Sequence, residues 1–250
     1  MLGLPDGITA CLFDLDGVLT QTAKVHAAAW KQTFDEYLRQ RADKAGQEFR
    51  PFDEVSDYDE YVDGLPRYDG VRAFLKSRGI ELPEGTPEDP PDKETIDGIG
   101  NRKNELVVKL IHERGVEPYE GSIRYVKAAR DAGLRRAVVS SSANAKDVLK
   151  SAKMLDLFEV IIDGHVADEQ HLNGKPAPDA FLAGAQAVNV EPACAVVFED
   201  ALAGVQAGRA GKFGFVVGVD RVGQADALRE HGADIVVKDL AALLHDDSDK

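Results

Sequence analysis

Two aspartates end a short apolar run near the N-terminus, in the stretch ACLFDLDGVLT at residues 10–20. Asp14 and Asp16 are one residue apart, and because side chains alternate along a strand, both carboxylates face the same side. Two like charges this close repel, so both stay ionised only where a cation or a reaction partner compensates them. A turn built on Asp16-Gly17 is the alternative, but it leaves Asp14 unexplained.

A serine-rich turn follows a second apolar run. Val138-Val139 leads into Ser140-Ser141-Ser142-Ala143-Asn144. Hydroxyls and free backbone N–H groups between a strand and a helix form an anion site. Capping of the next helix by Ser142 or Asn144 is the alternative.

A lysine and a second acidic pair complete the set of polar groups. Lys175 lies in GKPAPD at the start of a predicted helix, where it either reaches a phosphate or a carboxylate or is an ordinary surface lysine. Glu199 and Asp200 follow the apolar run Val196-Val197-Phe198. Carboxylate oxygens are the ligands that Mg²⁺ prefers. The ends of parallel strands share one edge of a sheet, so we expect these groups to form one site.

Apolar runs alternate with helical segments from residue 135 onward. The runs are short, rich in Val and Ile, and do not alternate with polar residues, as expected for parallel strands buried on both faces. Helices are predicted between them, for example over 177–188 and 201–210. The pattern predicts an α/β fold with a doubly wound, Rossmann-like parallel sheet that also contains the first apolar run. The later runs are 136–139, 158–162, 195–198, 213–217 and 235–237.

The intervening segment lacks this strand pattern and reads as helical over 22–41, 68–78 and 95–114. Residues 81–94 are rich in proline and acids and are expected to form a solvated loop. The sequence therefore predicts an α/β catalytic core and an inserted helical cap domain. An insertion at the carboxyl end of a strand lies where open α/β sheets bind ligands, so we expect it to act as a lid. The predicted core is 1–20 with 118–250, and the predicted cap is 21–117.

Composition narrows the class of partner. The chain has 250 residues, a formal net charge of -14 and no block rich in Lys or Arg, which argues against a nucleic-acid partner. No apolar stretch is long enough to span a bilayer, no signal peptide is apparent, and two cysteines suggest no disulfide framework. We expect a cytoplasmic enzyme with a small-molecule substrate, without a membrane partner or an obligatory protein partner.

Taken together, these stretches resemble the haloacid dehalogenase superfamily of phosphotransferases. Within that superfamily the chain most resembles the β-phosphoglucomutase-like subgroup, which includes small sugar-phosphate phosphatases. The cap segment shares the resemblance in its hinge and first helix, its substrate-specificity loop and a helix that supplies a substrate-contacting lysine. The matching stretches are DLDGV (14–18), VVSSSAN (138–144), GKPAPD (174–179) and VFEDALAGVQAG (197–208) in the core, and QTAKVHAAAWK (21–31), GLPRYDGV (64–71) and NRKNELVVKLI (101–111) in the cap.

The resemblance implies a role for each matching residue. Asp14 is implied as the nucleophile, Asp16 as the general acid and base, and Lys175 as a catalytic residue that holds the phosphoryl group. Mg²⁺ is the implied cofactor. For Arg67 and Lys103, the alternatives to substrate binding are an ordinary exposed arginine and a solvated helix lysine. For His26, the alternative is a structural role. The implied metal ligands are Asp14, Asp16 through its backbone carbonyl, Glu199 and Asp200, and the implied substrate-binding residues are Thr22, His26, Arg67, Lys103, Ser140, Ser141 and Asn144.

The resemblance also implies an activity. It is a Mg²⁺-dependent interconversion of β-D-glucose 1-phosphate and glucose 6-phosphate through an aspartyl-phosphate enzyme and glucose 1,6-bisphosphate. A phosphatase of the same superfamily, acting on a small sugar phosphate, is one alternative. Gln21 stands where many members of the resembled subgroup carry an acid, and this difference leaves room for a phosphatase. A non-catalytic, Mg²⁺-binding regulatory module is an alternative from another class.

Overall fold

The computed structural model describes residues 1–245, so the last five residues of the predicted core segment lie outside it. The described chain forms two compact units. One combines residues 1–21 with 116–245, and the other is the continuous segment 22–115. The assignment of these units as catalytic core and cap stays a prediction.

The discontinuous unit is built on a six-stranded sheet with the order β3-β2-β1-β4-β5-β6, in which all neighbours run parallel. This order matches the doubly wound, Rossmann-like fold, so the fold-class prediction is confirmed. Phe13, the last residue of β1, pairs with Val138 and Phe198, so the loops after three strands leave the sheet side by side. The strands are β1 (Ala10–Phe13), β2 (Arg135–Val139), β3 (Val160–Ile162), β4 (Ala195–Glu199), β5 (Phe215–Val219) and β6 (Ile235–Val237).

The centre of this sheet is fully apolar. All four residues of β1 are completely buried, as is Phe198 on β4. The rings of Phe13 and Phe198 stack with their centroids 4.6 Å apart, and the Tyr125 ring meets the Phe198 ring at 5.2 Å. Burial on both faces explains why these strands show no alternation of apolar and polar residues.

Ten α-helices lie in the described part of the chain. The predicted helix over 177–188 begins at Asp179, and Pro178 precedes its first turn. Among residues 1–245 no helix is both long and apolar enough to cross a membrane. The helices are α1 (Ala23–Ala45), α2 (Ser56–Tyr61), α3 (Arg67–Ser77), α4 (Ile96–Arg114), α5 (Glu120–Asp131), α6 (Ala145–Ser151), α7 (Gly164–Glu169), α8 (Asp179–Ala187), α9 (Leu202–Ala210) and α10 (Ala225–Glu230).

The continuous unit contains helices α1 to α4 and, within residues 22–115, no strand. Its core is aromatic: the rings of Trp30 and Phe34 stack with their centroids 5.0 Å apart, and the rings of Phe34 and Phe74 are tilted with their centroids 4.1 Å apart. Helix α2 was not expected from the sequence, because SDYDEY offers too short and too acidic a pattern.

The Pro-rich loop of this unit, residues 81–94, is mostly exposed, but the expectation of a solvated loop is wrong at Asp89. That residue is 7% exposed. Its carboxylate accepts hydrogen bonds from Thr95 Oγ1 and Lys93 Nζ, both at 2.7 Å. Thr95 in turn caps α4 by accepting from the backbone N–H of Gly98 at 3.0 Å. The loop is therefore anchored to the start of α4.

Candidate active site

Acidic side chains from two neighbouring loops meet at the carboxyl edge of the sheet. Asp14 follows β1, and Glu199 and Asp200 lie at the end of β4; all three are buried. The backbone N–H of Asp14 donates to the Phe198 carbonyl at 2.9 Å, which ties the loops together. One carboxylate oxygen from each acid lies within 4.8 Å of the others. The group does not include the carboxylate of Asp16, whose expected contribution to a metal is its backbone carbonyl.

Lys175 stands between two of these acids. Its Nζ lies 2.5 Å from Asp14 Oδ1 and 2.5 Å from Glu199 Oε1, and its side chain is 1% exposed. The surface-lysine alternative is therefore wrong. The other oxygen of Glu199 accepts from the backbone N–H of Ala201 at 2.8 Å. Because Glu199 serves Lys175 and the backbone, Asp14 and Asp200 are the better placed metal ligands.

The electrostatics of this group follow from its burial. Burial raises the pKa of Asp14 well above its ordinary value; the Lys175 ammonium opposes the rise, and the charges of Glu199 and Asp16 add to it. For Lys175, burial alone would lower the pKa, but the two carboxylates outweigh it and the net pKa is raised. Lys175 therefore stays charged, and a further cation near Asp14 would be stabilised by the surplus of acids.

Two glycines that were not expected from the sequence make room for the acids. Gly17 has a φ of +88°, and a Cβ placed on it would stand 1.7 Å from Asp200 Oδ2. A Cβ on Gly204, near the start of α9, would stand 1.7 Å from Glu199 Oε1. Both glycines lie inside the motifs quoted above, DLDGV and ALAG, so the signal was present. Its meaning depends on contacts that only the folded chain reveals.

Asp16 lies in a tight loop directly after β1. The N–H of Gly17 donates to the Thr20 carbonyl at 2.8 Å, and Ser122 Oγ on α5 donates to the Val18 carbonyl at 2.7 Å. The turn expected for Asp16-Gly17 is therefore present, and it occurs together with the clustering of Asp14 rather than instead of it. Asp16 is partly exposed while Asp14 is buried.

The serine turn follows β2 at the same edge of the sheet. Ser140 is 4% exposed, and its Oγ accepts from the N–H of Ser142 at 3.1 Å. Ser142 Oγ accepts from the N–H of Asn144 at 3.2 Å. Asn144 makes no side-chain capping bond to α6, so the capping alternative does not explain it. Ser141 and Asn144 are partly exposed.

The predicted substrate-binding residues of the helical unit fall into two groups. His26 on α1 and Lys103 on α4 meet with Nζ 2.9 Å from Nδ1, and Lys103 also lies over the Trp30 ring at 4.6 Å. A lysine ammonium donates and does not accept, so this contact suits a His26 ring whose Nδ1 is the acceptor. Lys103 is 6% exposed, so the solvated-lysine alternative is wrong. Thr22 is buried, and its carbonyl accepts from the N–H of His26 at 2.9 Å.

Arg67 forms the second group at the start of α3. Its Nη2 donates to the Tyr68 hydroxyl at 2.9 Å, and that hydroxyl donates to Asn101 Oδ1 at 3.0 Å. Asn101 is anchored in turn, because its Nδ2 donates to the Asp89 carbonyl at 2.9 Å. Arg67 is partly buried, unlike a free surface arginine. Its predicted contact with substrate stays a prediction.

The site can be compared with known proteins. A family model described as haloacid dehalogenase-like hydrolase matches residues 8–212, most of the chain. The chain belongs to this family. Among its relatives, proteins named β-phosphoglucomutase from Mycobacterium bovis and Mycobacterium tuberculosis are each 54% identical over 247 residues, covering 98% of this chain and 94% of each relative. A phosphorylated carbohydrates phosphatase from Thermotoga maritima is 26% identical over 232 residues, covering 92% of this chain and 94% of that protein.

Solved structures agree with the sequence relatives of this haloacid dehalogenase-like protein. The crystal structure of β-phosphoglucomutase from Clostridium difficile has a TM-score of 0.73 and 27% identity, covering 95% of this chain and 93% of that one. The chain is therefore an enzyme of the phosphomutase and phosphatase kind, and the non-catalytic alternative is set aside. Such enzymes use a metal ion, and the buried carboxylates of Asp14, Glu199 and Asp200 fit one.

Proposed function

We propose that the chain is a Mg²⁺-dependent phosphomutase that interconverts β-D-glucose 1-phosphate and glucose 6-phosphate. The observation that carries the proposal is the Lys175 ammonium, held 2.5 Å from the buried carboxylates of both Asp14 and Glu199. A buried cation beside a carboxylate suits attack by that carboxylate on a negatively charged phosphoryl group. The 54% identity to proteins named β-phosphoglucomutase supports the choice of sugar.

Asp14 is the proposed nucleophile. One of its oxygens bonds to phosphorus while the bond between phosphorus and the sugar oxygen breaks, which leaves an aspartyl phosphate. A hydroxyl of the next sugar then attacks the same phosphorus, and the bond to Asp14 breaks. Lys175, Ser140, Ser141 and Asn144 are proposed to hold the phosphoryl oxygens.

Asp16 is the proposed general acid and base. It gives a proton to the departing sugar oxygen and later takes a proton from the attacking hydroxyl. The short hydrogen bonds within its loop support a fixed position for this transfer.

Magnesium is the proposed metal because its ligands would all be oxygens. The carboxylates of Asp14 and Asp200 and the backbone carbonyl of Asp16 would hold it, with Glu199 beside them. When bound, it neutralises negative charge on the phosphoryl group.

The helical unit is proposed to recognise the rest of the substrate. Arg67 would bind the phosphate that is not being transferred, preferably with two hydrogen bonds. Thr22, His26 and Lys103 would complete the contacts. The sugar bisphosphate would turn so that its two phosphates change places. Asp14 then takes up a phosphoryl group again, and glucose 6-phosphate is left. The proposal includes a cytoplasmic location, no nucleic-acid or membrane partner and no obligatory protein partner.

A phosphatase acting on a small sugar phosphate is the second candidate. It is favoured by Gln21, at a position where the family resemblance implies an acid, and by the Thermotoga maritima relative named as a phosphatase. In that reaction water rather than a sugar hydroxyl releases the phosphoryl group from Asp14.

A ³¹P NMR time course separates the two candidates. The protein is mixed with Mg²⁺, β-glucose 1-phosphate and a trace of β-glucose 1,6-bisphosphate. Growth of the glucose 6-phosphate signal without inorganic phosphate supports the phosphomutase. Growth of inorganic phosphate in its place refutes the phosphomutase in favour of the phosphatase.

The proposed phosphate contact of Arg67 has a matched control on the same helix. Arg67→Ala is expected to lower the transfer to sugar more than any release of inorganic phosphate. Arg72→Ala removes an exposed arginine that pairs with Asp69 and Glu84, and it is expected to change neither rate. Equal losses of both activities in Arg67→Ala would contradict the contact.

A further inference from the structure

The loop after β5, residues 220–224, lies at the same edge of the sheet as the acidic loops, and its shape is fixed from within. Asp220 is 9% exposed, and its Oδ1 accepts from the N–H groups of Gly223 at 2.7 Å and Gln224 at 2.9 Å. Its own N–H donates to the Val237 carbonyl at 2.8 Å, which fastens the loop to the end of β6. The loop is therefore a rigid base for the side chains it carries.

Arg221 reaches from this loop to the loop after β1. Its Nε donates to the Gly17 carbonyl at 2.7 Å, and its Nη1 donates to the Lys238 carbonyl at 2.7 Å. Its guanidinium lies 3.5 Å from the centre of the Tyr119 ring, and its side chain is 16% exposed. A longer bond runs from Nη2 to the Val18 carbonyl at 3.5 Å. A planar group held by three carbonyls and an aromatic face has little freedom to move.

Gln224 reaches from the same loop to the loop after β4. Its Nε2 donates to the backbone carbonyl of Asp200 at 3.1 Å. The Asp200 carboxylate in turn packs against Gly17, on which a Cβ would stand 1.7 Å from Oδ2. The contacts run from Arg221 to Gly17, from Gly17 to Asp200 and from Asp200 to Gln224. They form a closed ring because Gln224 and Arg221 lie in the same loop.

We propose that Arg221 is a positioning residue for the reaction, and that it acts by fixing the Gly17-Val18 peptide, and through it Asp16, relative to Asp14 and Asp200. The proposal rests on the chemistry assigned above to Asp14 and Asp16. Gly17 follows Asp16 directly, so a shift of the Gly17-Val18 peptide is passed through the Gly17 Cα to the Asp16 carbonyl and side chain. No substrate contact is assigned to Arg221, because its hydrogen bonds go to the protein backbone.

A purely structural role is the alternative, since loss of a nearly buried arginine over an aromatic ring lowers stability in either case. The two readings differ in what happens to molecules that remain folded. A positioning role requires that the folded variant has a lower turnover rate and binds a mimic of the phosphoryl group at Asp14 more weakly. A purely structural role requires a lower melting temperature alone.

The test compares Arg221→Ala, Arg221→Lys and Gln224→Ala with Arg229→Ala. Arg229 is a matched control on α10 that is 54% exposed and pairs with Asp226. Two assays are run well below the melting temperature of each variant. The first gives kcat and KM with Mg²⁺, β-glucose 1-phosphate and the bisphosphate. The second gives, by ¹⁹F NMR, the affinity for BeF₃⁻ with Mg²⁺, a mimic of the aspartyl phosphate.

We expect Arg221→Ala to lower kcat by about a hundredfold, the loss that a misplacement of about 1 Å can cause, with little change in KM. We expect weaker binding of BeF₃⁻ in the same variant and a smaller effect of the same kind in Gln224→Ala. Arg221→Lys keeps a charge but lacks the planar fork, so its kcat and its BeF₃⁻ affinity are expected to lie between those of Arg221→Ala and the wild type. If Arg221→Ala does not fold, Arg221→Lys and Gln224→Ala decide.

Two outcomes would overturn the positioning role. One is that the Arg221 variants match Arg229→Ala in both kcat and BeF₃⁻ affinity while melting earlier. The other is that the wild type binds no BeF₃⁻, which refutes the chemistry at Asp14 and the positioning role with it. A wild type that binds BeF₃⁻ but does not convert the sugar refutes only the substrate, and the BeF₃⁻ affinities then decide the role of Arg221.

Discussion

Gly17→Ala tests the link between the loop after β1 and the acidic site. The added methyl carbon would stand 1.7 Å from Asp200 Oδ2 and 2.4 Å from Asp200 Cγ. Because ordinary contact begins near 3.4 Å, the distance to Oδ2 must double, and the Asp200 carboxylate or the loop has to move. Both groups belong to the proposed metal and phosphoryl site, so the substitution disturbs the site without removing any of its functional groups.

The magnitude follows from the size of that shift. A misplacement of about 1 Å costs roughly a hundredfold in rate, so we expect a loss of kcat of at least about a hundredfold. The positive φ of Gly17 adds a separate cost of about 1–2 kcal/mol in stability for any residue with a Cβ. The two effects need to be distinguished, because a strained loop alone would also lower the melting temperature.

Gly7→Ala supplies the matched control. Gly7 has a φ of +89°, nearly the same as the +88° of Gly17, but no atom lies within 4 Å of the position of its Cβ. Both variants therefore carry the backbone strain, and only Gly17→Ala displaces Asp200. The assays are kcat and the rise in melting temperature on addition of Mg²⁺. If the two variants lose activity and Mg²⁺ stabilisation equally, the reasoning about Asp200 is refuted.

Three further substitutions give separate predictions. Asp14→Asn should abolish turnover of β-glucose 1-phosphate with the fold intact by circular dichroism, and retained turnover would remove Asp14 as the nucleophile. Lys175→Met leaves the buried acids Asp14 and Glu199 without their cation, so urea unfolding should show a loss of about 3–5 kcal/mol; a loss below about 1 kcal/mol would mean that protonation of Asp14 compensates. The hydrogen bond from Lys93 is the largest of the causes that lower the pKa of Asp89 from 3.8 to about 2. The contribution of the ionised Asp89 to the free energy of unfolding is therefore complete above pH 3.8 and is lost as the pH falls towards about 2. Urea unfolding of Asp89→Asn should show a smaller loss of stability over that pH window than the wild type, and equal losses would contradict the assignment.

The parts of the fold that depend on local pattern could be predicted from the sequence. The unbroken apolar runs gave the strands because strands buried on both faces need no polar side. The acids after β1 and β4 could be grouped because parallel strands share one carboxyl edge. The burial of Lys175 could not be predicted, since GKPAPD has the composition of a solvated turn. Its partner Asp14 lies 161 residues away in the chain.

The roles of Asp89 and Arg221 were not predicted for the same reason, because their partners are visible only in the folded chain. Asp89 lies in a loop whose composition is that of a solvated segment, and only its contacts with Thr95 and Lys93 bury it. Arg221 had a usable signal, because Asp220 and Arg221 follow a strand just as Asp14 and Asp200 do. Its partner is a backbone carbonyl, however, and carbonyl groups are present at every residue, so the sequence could not reveal which one it binds.

The central place of β1 in the sheet has a consequence for the order in which the molecule is made. Both neighbours of β1 are synthesised after the helical unit, since Ala10 pairs with Arg135 and Ala195. The helical unit is continuous in the chain, so we expect it to fold first on the ribosome while β1 waits unpaired. The step that pairs β1 with β4 also brings Glu199 and Asp200 to Asp14. Pairing of β1 with β4 and assembly of the acidic site are therefore a single late event in folding, and a chain released before residue 200 has neither.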